Sequence, residues 1–248
     1  MIKLYHMHTS TCSKRVRITL AEKNLEWESV HIDLAKREQI EPDYVKLNPN
    51  GVVPTLIHGD RVLNESNVII QYLDEVFPQP PLTPSDPYDR AQMRIWMDIF
   101  EHRLHKNINI VSWVRQERYK RWENMSENEV EEVLNKQPSP ERRELFRKRL
   151  ANGVSQEDIE FAEARVADVL DLMEDRLNSG PWLCGDAMSL ADISVVPFIE
   201  RFEANKMSKL VDWVLRPSLG NWWERMQKTK GYRAVSYTHL TLPTTPYV

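Results

Sequence analysis

Asn48-Pro49-Asn50-Gly51-Val52-Val53-Pro54-Thr55-Leu56-Ile57, followed by Arg61-Val62-Leu63-Asn64-Glu65-Ser66, is the stretch on which the reading of this chain turns. A valine before a proline is driven out of the helical region toward extended geometry, and the Val53-Pro54 bond is one that can be cis where the fold demands it. The result is a sharp backbone corner. Thr55 to Ile57 and Arg61 to Leu63 read as two short strands joined by a turn at His58-Gly59-Asp60. Glu65-Ser66 then opens a helix with apolar residues at Ile69, Tyr72, Leu73 and Val76. The start of a helix offers free backbone amides to an anion.

Taken in order, N-P-x-G-x-V-P-x-L and the later E-S resemble the glutathione site of the glutathione S-transferase family. The resemblance implies that the backbone at Val53, before a cis Pro54, pairs with the bound tripeptide. It also implies that Glu65 and Ser66 take the γ-glutamyl end, and Asn50 and Pro54 are further candidate cofactor-binding residues. An ordinary hairpin with a turn proline and a helix cap is the plain alternative.

The flanking chain fits that placement. Lys3 to His6 reads as a strand, Ser13 to Lys23 as a helix with Val16 and Leu20 inward, and Val30 and Ile32 as alternating positions of a second strand. Strand, helix, strand in so few residues implies a parallel crossover pair. A variable connection from Leu34 to Asn48, the hairpin and a helix over Ser66 to Phe77 complete an α/β thioredoxin-like N-terminal domain over residues 1–77. Pro78 to Pro87 holds five prolines in ten residues, so neither a helix nor a central strand runs through it, and it reads as the domain linker.

Residues 88–235 read as an all-α C-terminal domain. Ile95, Trp96, Ile99 and Phe100 mark one helix. Ile159, Ala162, Val166, Val169, Leu170, Met173 and Leu177 mark a longer one, started by Ser155-Gln156-Glu157-Asp158 in the form of a capping box. Ser189-Leu190-Ala191-Asp192 repeats that form, and in the resembled family S-x-A-D at this place is a helix-capping motif, so Ser189 and Asp192 read as structural. Leu219, Trp222, Trp223 and Met226 close the domain. The segment from Trp113 to Gly153 is charge-dense, with helix starts at Ser126 to Glu129 and Ser139-Pro140. It resembles an extended segment of the bacterial β-aryl-etherase-like branch, as does Arg90-Ala91-Gln92-Met93-Arg94-Ile95-Trp96. It reads either as a solvated helical pair or as a lid over the acceptor pocket. Ser236 to Val248 holds no Asp, Glu, Lys or Arg and resembles translated adapter sequence. That tail is set aside as non-native, and the natural chain is expected to continue past about Val235.

Composition narrows the classes. A net charge of -4 over 248 residues argues against nucleic acid as the main partner, which would need a concentrated basic face. No apolar run approaches the roughly 18 residues of a membrane span, and the first residues lead into a strand rather than a signal peptide, so a cytoplasmic protein is expected. Two cysteines, Cys12 and Cys184, are too few for a disulfide framework and are not spaced as a metal site. No metal is expected. Cys184 reads as packing, and His6, His8 and His58 as surface or strand positions rather than bases.

Glutathione chemistry is thiolate chemistry. A cysteine thiol has a pKa of roughly 8.5, and lowering it by about two units takes about 2.7 kcal/mol of selective thiolate stabilisation. A hydrogen bond to a charged group supplies roughly 1.5 to 3 kcal/mol and a helix N-terminus about 0.3 to 1 more, so one hydroxyl at a helix start nearly suffices. Ser10-Thr11-Cys12-Ser13-Lys14-Arg15-Val16-Arg17-Ile18 resembles the zeta-class string S-S-C-S-x-R-V-R-I, which makes Ser10 the activating residue. Alignment with the etherase-like branch puts Ser13 there instead. Helix capping is the alternative for either serine. Cys12 lies either on the buried stripe of the first helix, as a small hydrophobe, or at the helix start as a thiolate able to form a mixed disulfide with glutathione. Val52 departs from the polar or basic residue of many family members, and Lys36 or Lys46 is the candidate substitute.

The resemblance implies a glutathione transferase, a homodimer using glutathione as co-substrate to attack a small aromatic or unsaturated electrophile. Conjugation, β-ether cleavage and isomerisation all begin with the same thiolate. Trp96, Phe100 and Trp113 are the candidate walls of the electrophile pocket, although aromatics at helical spacing also read as core. The competing readings are a Cys12-dependent thiol transferase and a non-catalytic interaction module on the same fold.

Overall fold

The computed structural model describes residues 1–204 and 208–236, and within them the chain builds one mixed sheet and a helical array joined by the proline-rich linker. The first strand, β1 (Ile2–His6), is followed by α1 (Thr11–Glu22) and β2 (Glu28–His31), which lies parallel to β1 with Lys3 opposite Glu28. A single short turn, α2 (Pro42–Val45), precedes the hairpin of β3 (Thr55–His58) and β4 (Arg61–Asn64). β3 runs antiparallel to β1, so the sheet order is β2-β1-β3-β4. α3 (Ser66–Val76) then packs with α1 on one face of the sheet. This is the expected thioredoxin-like arrangement, with β2 set slightly earlier than Val30 and Ile32 suggested.

The linker is pinned rather than loose. Lys23 donates from Nζ to the carbonyls of Phe77 at 2.7 Å and Pro80 at 2.8 Å, and pairs with Asp74. Asp74 in turn accepts from the Leu82 amide at 3.0 Å. Asp86 caps α4 (Pro87–Ile99), accepting from the Tyr88 and Asp89 amides. The buried face of this helix is Met93, Trp96 and Met97, continued by Phe100, while Ile95 is exposed. That corrects the expected stripe, because Ile95 is adjacent in sequence to Trp96 and so points about 100° away from it.

A π-helical turn over Phe100–His105 leads into α5 (Lys106–Arg115). After a 3₁₀ turn at Arg118–Arg121 come α6 (Glu127–Lys136), with a Ser126 and Glu129 capping box, and α7 (Pro140–Asn152), capped by Ser139. α8 (Gln156–Leu177) begins with the Ser155 and Asp158 capping box and buries all seven of its expected apolar residues. Leu170 and its neighbours face α5 and α10 (Pro217–Lys228), with α9 (Leu190–Ala204) between the helical array and α1. Ser189 and Asp192 are structural: the buried carboxylate of Asp192 accepts from the Ser189 amide and hydroxyl, the Leu183 amide and the Trp222 indole. The helical domain extends past Met226 in α11 (Lys230–Ser236), which packs on α1 and donates from the Gly231 amide to Glu22 at 2.6 Å. Ser236 is therefore the last residue of a helix, and the rest of the proposed tail, 237–248, lies outside the described residues.

The segment from Trp113 to Gly153 has two faces. Its outer charges are solvated and paired with carboxylates, as in Arg147 with Glu131 and Arg115 with Glu163. Its inner edge turns back on the N-terminal domain: Arg37 lies 5.0 Å over the Trp122 ring, and Pro138 presses on Gly51. A solvated pair describes only the outer half.

Candidate active site

The corner at Val53 is held by buried polar contacts. The Val52 carbonyl accepts from Tyr44 Oη at 2.7 Å and Asn48 Nδ2 at 2.7 Å, and Tyr44 and Asn48 both reach Thr55 Oγ1. Val53 itself packs with Ile32 and Tyr44 in a small satellite core. The Val53-Pro54 bond is cis. Asn48 at the head of the decisive stretch thus has a physical role, since its amide ties the loop to the strand that follows. Val52 contributes its backbone to this network, and neither Lys36 nor Lys46 reaches the groove beside it. Both lysines are exposed, with Lys46 paired to Asp43.

A groove of about 730 Å³ opens beside this corner, and the start of α1, the cis-proline loop and the start of α3 all face it. Ser10, Cys12, Asn50, Val53, Pro54, Glu65 and Ser66 line it together. Glu65 takes φ +67°, a left-handed conformation uncommon for a residue with a side chain, and one that recurs at sites where geometry serves a purpose. Asn50 Nδ2 donates to Glu65 Oε1 at 3.1 Å. Glu65 makes no side-chain cap to its helix, so the first amides of α3 are left for another acceptor.

The three candidates on α1 separate clearly in position. Ser10 is the N-cap: its Oγ accepts from the Ser13 amide at 3.3 Å, which leaves its own proton to donate into the groove. Capping and thiol activation are therefore compatible in one residue. Ser13 is fully buried, with its Oγ accepting from the Met7 amide at 3.3 Å, and it does not line the groove. Cys12 is half-buried and faces the groove from the start of α1, so of its two expected placements it is the buried stripe that the structure sets aside. Cys184 is buried, and burial pushes its thiol up to about 11.

Arg15 was not singled out by sequence, yet it joins the parts of the site. Fully buried, it donates to the Ser194 carbonyl at 2.8 Å, to Ser66 Oγ at 3.1 Å and to Glu101 at 2.8 Å, and it lies 4.9 Å over the Phe198 ring. Glu101 sits in the π-helical turn, where burial raises its pKa but the hydrogen bond with His105 and the charge of Arg15 outweigh that and hold it down at about 2. Ser66 Oγ, already accepting from Arg15, retains its proton for a ligand. No local signal in α1 marks this arginine as buried, because its partners come from three other elements.

The expected aromatic walls fare unevenly. Trp96 and Phe100 are core residues, stacked on each other at 5.6 Å and turned away from the groove, which corrects their assignment to the pocket. Trp113 does border a cavity, also about 730 Å³, walled by Trp122, Leu145 and Phe146. It runs into the groove, the two sharing residues that include Arg118, Arg121 and Arg142. The sequence signal for these arginines was the charge density of the inserted segment, but nothing in it distinguishes inward from outward charges.

His6 is buried, bonded to Ser29 Oγ at 2.7 Å, and burial together with Arg17 lowers it to about 3. It stays neutral and lies outside the groove. His58 shares a hydrogen bond with Tyr72 Oη at 2.8 Å. Among the described residues there is no group of three or more His, Cys, Asp or Glu placed to hold a metal ion, and no helix is long and apolar enough to cross a membrane.

The family models for the glutathione S-transferase N-terminal and C-terminal domains match residues 4–81 and 140–228. Protein LigF of Sphingobium sp. (strain NBRC 103272 / SYK-6) is 35% identical over 198 residues, covering 77% of this chain and 75% of that protein. Glutathione S-transferase Z1 of Arabidopsis thaliana is 41% identical over 117 residues, covering 46% of this chain and 53% of that protein. The crystal structure of beta-etherase LigF from Sphingobium sp. strain SYK-6 superposes with a TM-score of 0.86 at 30% identity, covering 96% of this chain and 99% of the other. That of glutathione transferase F7 from Populus trichocarpa gives 0.73 at 26% identity, covering 96% and 98%. The chain belongs to the glutathione S-transferase family and is a glutathione transferase enzyme.

Proposed function

We propose that the groove binds glutathione, that the Ser10 hydroxyl donates a hydrogen bond to its thiolate, and that this thiolate attacks an electrophile entering from the helical side. The backbone of Val53 pairs with the tripeptide, while Asn50, Glu65 and Ser66 with the first amides of α3 hold its γ-glutamyl end. The observation that carries the reading is convergence: Ser10, Val53, Glu65 and Ser66 come from separate elements and line one groove. The attacking sulfur forms a bond to carbon, and the group displaced leaves with the electron pair. Ether cleavage is the preferred form of that step, because LigF, which matches 77% of this chain and superposes on it with a TM-score of 0.86, is a beta-etherase. An aryl ether would then release an aryloxide. The enzyme works as a homodimer, with the exposed Val62, Val68 and Ile95 as apolar surface available to a second copy, and light scattering after gel filtration measures that state.

The decisive experiment is the pH dependence of kcat/KM for glutathione with a β-aryl ether and an aryl halide. A hydrogen bond to a charged sulfur, at roughly 1.5 to 3 kcal/mol, is equivalent to about one to two pKa units. Ser10→Ala should raise the apparent thiol pKa by that amount, Ser10→Thr should restore it, and Ser13→Ala should leave it in place. An unchanged profile in Ser10→Ala removes the proposed role. Cys12 supports a second reading, since its sulfur also faces the groove: disulfide exchange lost only in Cys12→Ala would assign the protein to thiol transfer.

A further inference from the structure

We propose that the electrophile carries a negative charge on an aromatic body, the charge being held by Arg118, Arg121 and Arg142 and the ring by the cavity of Trp113, Trp122 and Phe146. The proposal rests on the glutathione reading and specifies the other half of the same site.

The observation behind it is how the inserted segment partners its charges. Outward arginines have carboxylates: Arg115 has Glu163, and Arg147 has Glu131 and Glu144. The inward ones do not. Arg118 donates from Nε at 2.9 Å and Nη2 at 2.7 Å to the neutral oxygen of Gln116. Arg142 stands 5.8 Å from the Phe146 ring, and Arg149 bonds Asn109 Oδ1 at 2.9 Å and lies 5.3 Å over Trp113. Among the described residues no carboxylate lies within 4.0 Å of Arg118, Arg121, Arg142 or Arg149. The groove carboxylates nearest the helical side are already committed, Glu101 to Arg15 and His105 and Glu200 to Lys14.

Arg149 is buried and Arg118 half-buried, while Arg121 and Arg142 keep contact with solvent at the mouth; like charges grouped in this way repel one another, and an anion set among them relieves that repulsion. Burial, with Arg201, Arg121 and Arg149 nearby, lowers Arg118 to about 10, a direction that an incoming anion would reverse. Guanidinium groups also match a carboxylate in shape, offering paired donors in one plane. The three arginines sit at the junction of the two cavities, with Ser10 and Cys12 on one side and the aromatic walls on the other. An electrophile spanning that junction presents its reactive carbon to the sulfur, its anionic group to the arginines and its ring to the indoles.

The test uses product-like probes on the full chain: S-(4-carboxybenzyl)glutathione, its uncharged S-(4-carbamoylbenzyl) counterpart, and S-methylglutathione, titrated calorimetrically. Wild type should bind the acid at least tenfold more tightly than the amide. Arg118→Gln/Arg142→Gln should abolish that preference and leave the affinity for S-methylglutathione within twofold, with Arg121→Gln giving an intermediate effect and Arg147→Gln none. Equal binding of acid and amide by wild type would overturn the proposal while leaving glutathione binding intact. So would a comparable loss of S-methylglutathione in the arginine variants, which would assign the cluster to the tripeptide's own carboxylate. Failure of all three probes to bind wild type would remove the glutathione reading and this proposal together.

Discussion

Gly51 is where the inserted segment touches the cis-proline loop, and its replacement tests whether that contact shapes the site. Its φ is +59°, and a Cβ there would lie 2.8 and 2.9 Å from Pro138 Cγ and Cδ and 3.2 Å from Ile40 Cγ2. Gly59, in the β3-β4 turn, provides the control: φ is +66° and nothing lies within 4 Å of the same added atom. Gly59→Ala should therefore cost only the left-handed backbone term, about 1 to 2 kcal/mol. Gly51→Ala should cost that plus about 1 to 3 kcal/mol of overpacking, since a proline ring on a helix connection cannot swing aside as a flexible side chain would. Urea unfolding measures both, provided the slopes agree. Displacing the loop that carries Asn50 and Val53 should also weaken glutathione binding in Gly51→Ala and leave it unchanged in Gly59→Ala. Trimming the ring with Pro138→Ala should recover part of the Gly51→Ala loss and give a coupling energy of about 1 kcal/mol or more. Equal midpoints for the two glycine variants, or purely additive effects of Gly51→Ala and Pro138→Ala, would show that the connection between α6 and α7 exerts no pressure on the cis-proline loop.

Asp192→Asn should destabilise the helical domain by about 2 to 4 kcal/mol, because an amide turns one of two fully used acceptor oxygens into a donor facing donors; the unfolding midpoint followed by circular dichroism measures it. His6 has its folded pKa lowered to about 3 from 6.5, so the unfolded chain binds the proton first. Its contribution is complete above pH 6.5 and declines toward pH 3 at up to about 1.4 kcal/mol per pH unit, a slope His6→Gln should remove from the stability profile. Glu101, lowered to about 2 from 4.5, acts in the same direction further into acid, fully present above pH 4.5 and lost toward pH 2. Glu101→Gln should flatten that lower limb in a pH series of unfolding curves. Cys12→Ala should retain ether-cleaving activity within a few-fold of wild type in a glutathione-dependent aryloxide-release assay if Ser10 is the activating group.

The parts of the fold read correctly from sequence are those in which one local signal decides the outcome. The seven apolar residues of α8 repeat at helical spacing behind a capping box, and all seven are buried. The corner at Val53-Pro54 is similarly local, its neighbours Asn48 and Thr55 being bonded within a few residues. On α4 the pattern was present but misread, because counting Ile95 as the anchor hides the i, i+3, i+4, i+7 series Met93, Trp96, Met97, Phe100, in which flexible methionines fill the core positions.

What escaped the sequence depends on residues far apart in the chain. Arg15 has no role legible in its own segment, because Ser66, Glu101 and Ser194 come to it from three other elements. The same holds for the arginines of the inserted segment, which are indistinguishable in composition from the solvated charges beside them. Arg142 and Arg147 are five residues apart on one helix, but that spacing turns the chain through about 500°, or 140° beyond a full turn, so one guanidinium enters the groove while the other meets Glu131 on the outer face. Facing is thus set by the seating of the Pro138 connection on Gly51 and of α7 on Trp113, and not by the identity of either residue. A segment can therefore be densely charged and still contribute to a binding wall, because the functional information lies in which of its charges the fold leaves without carboxylates.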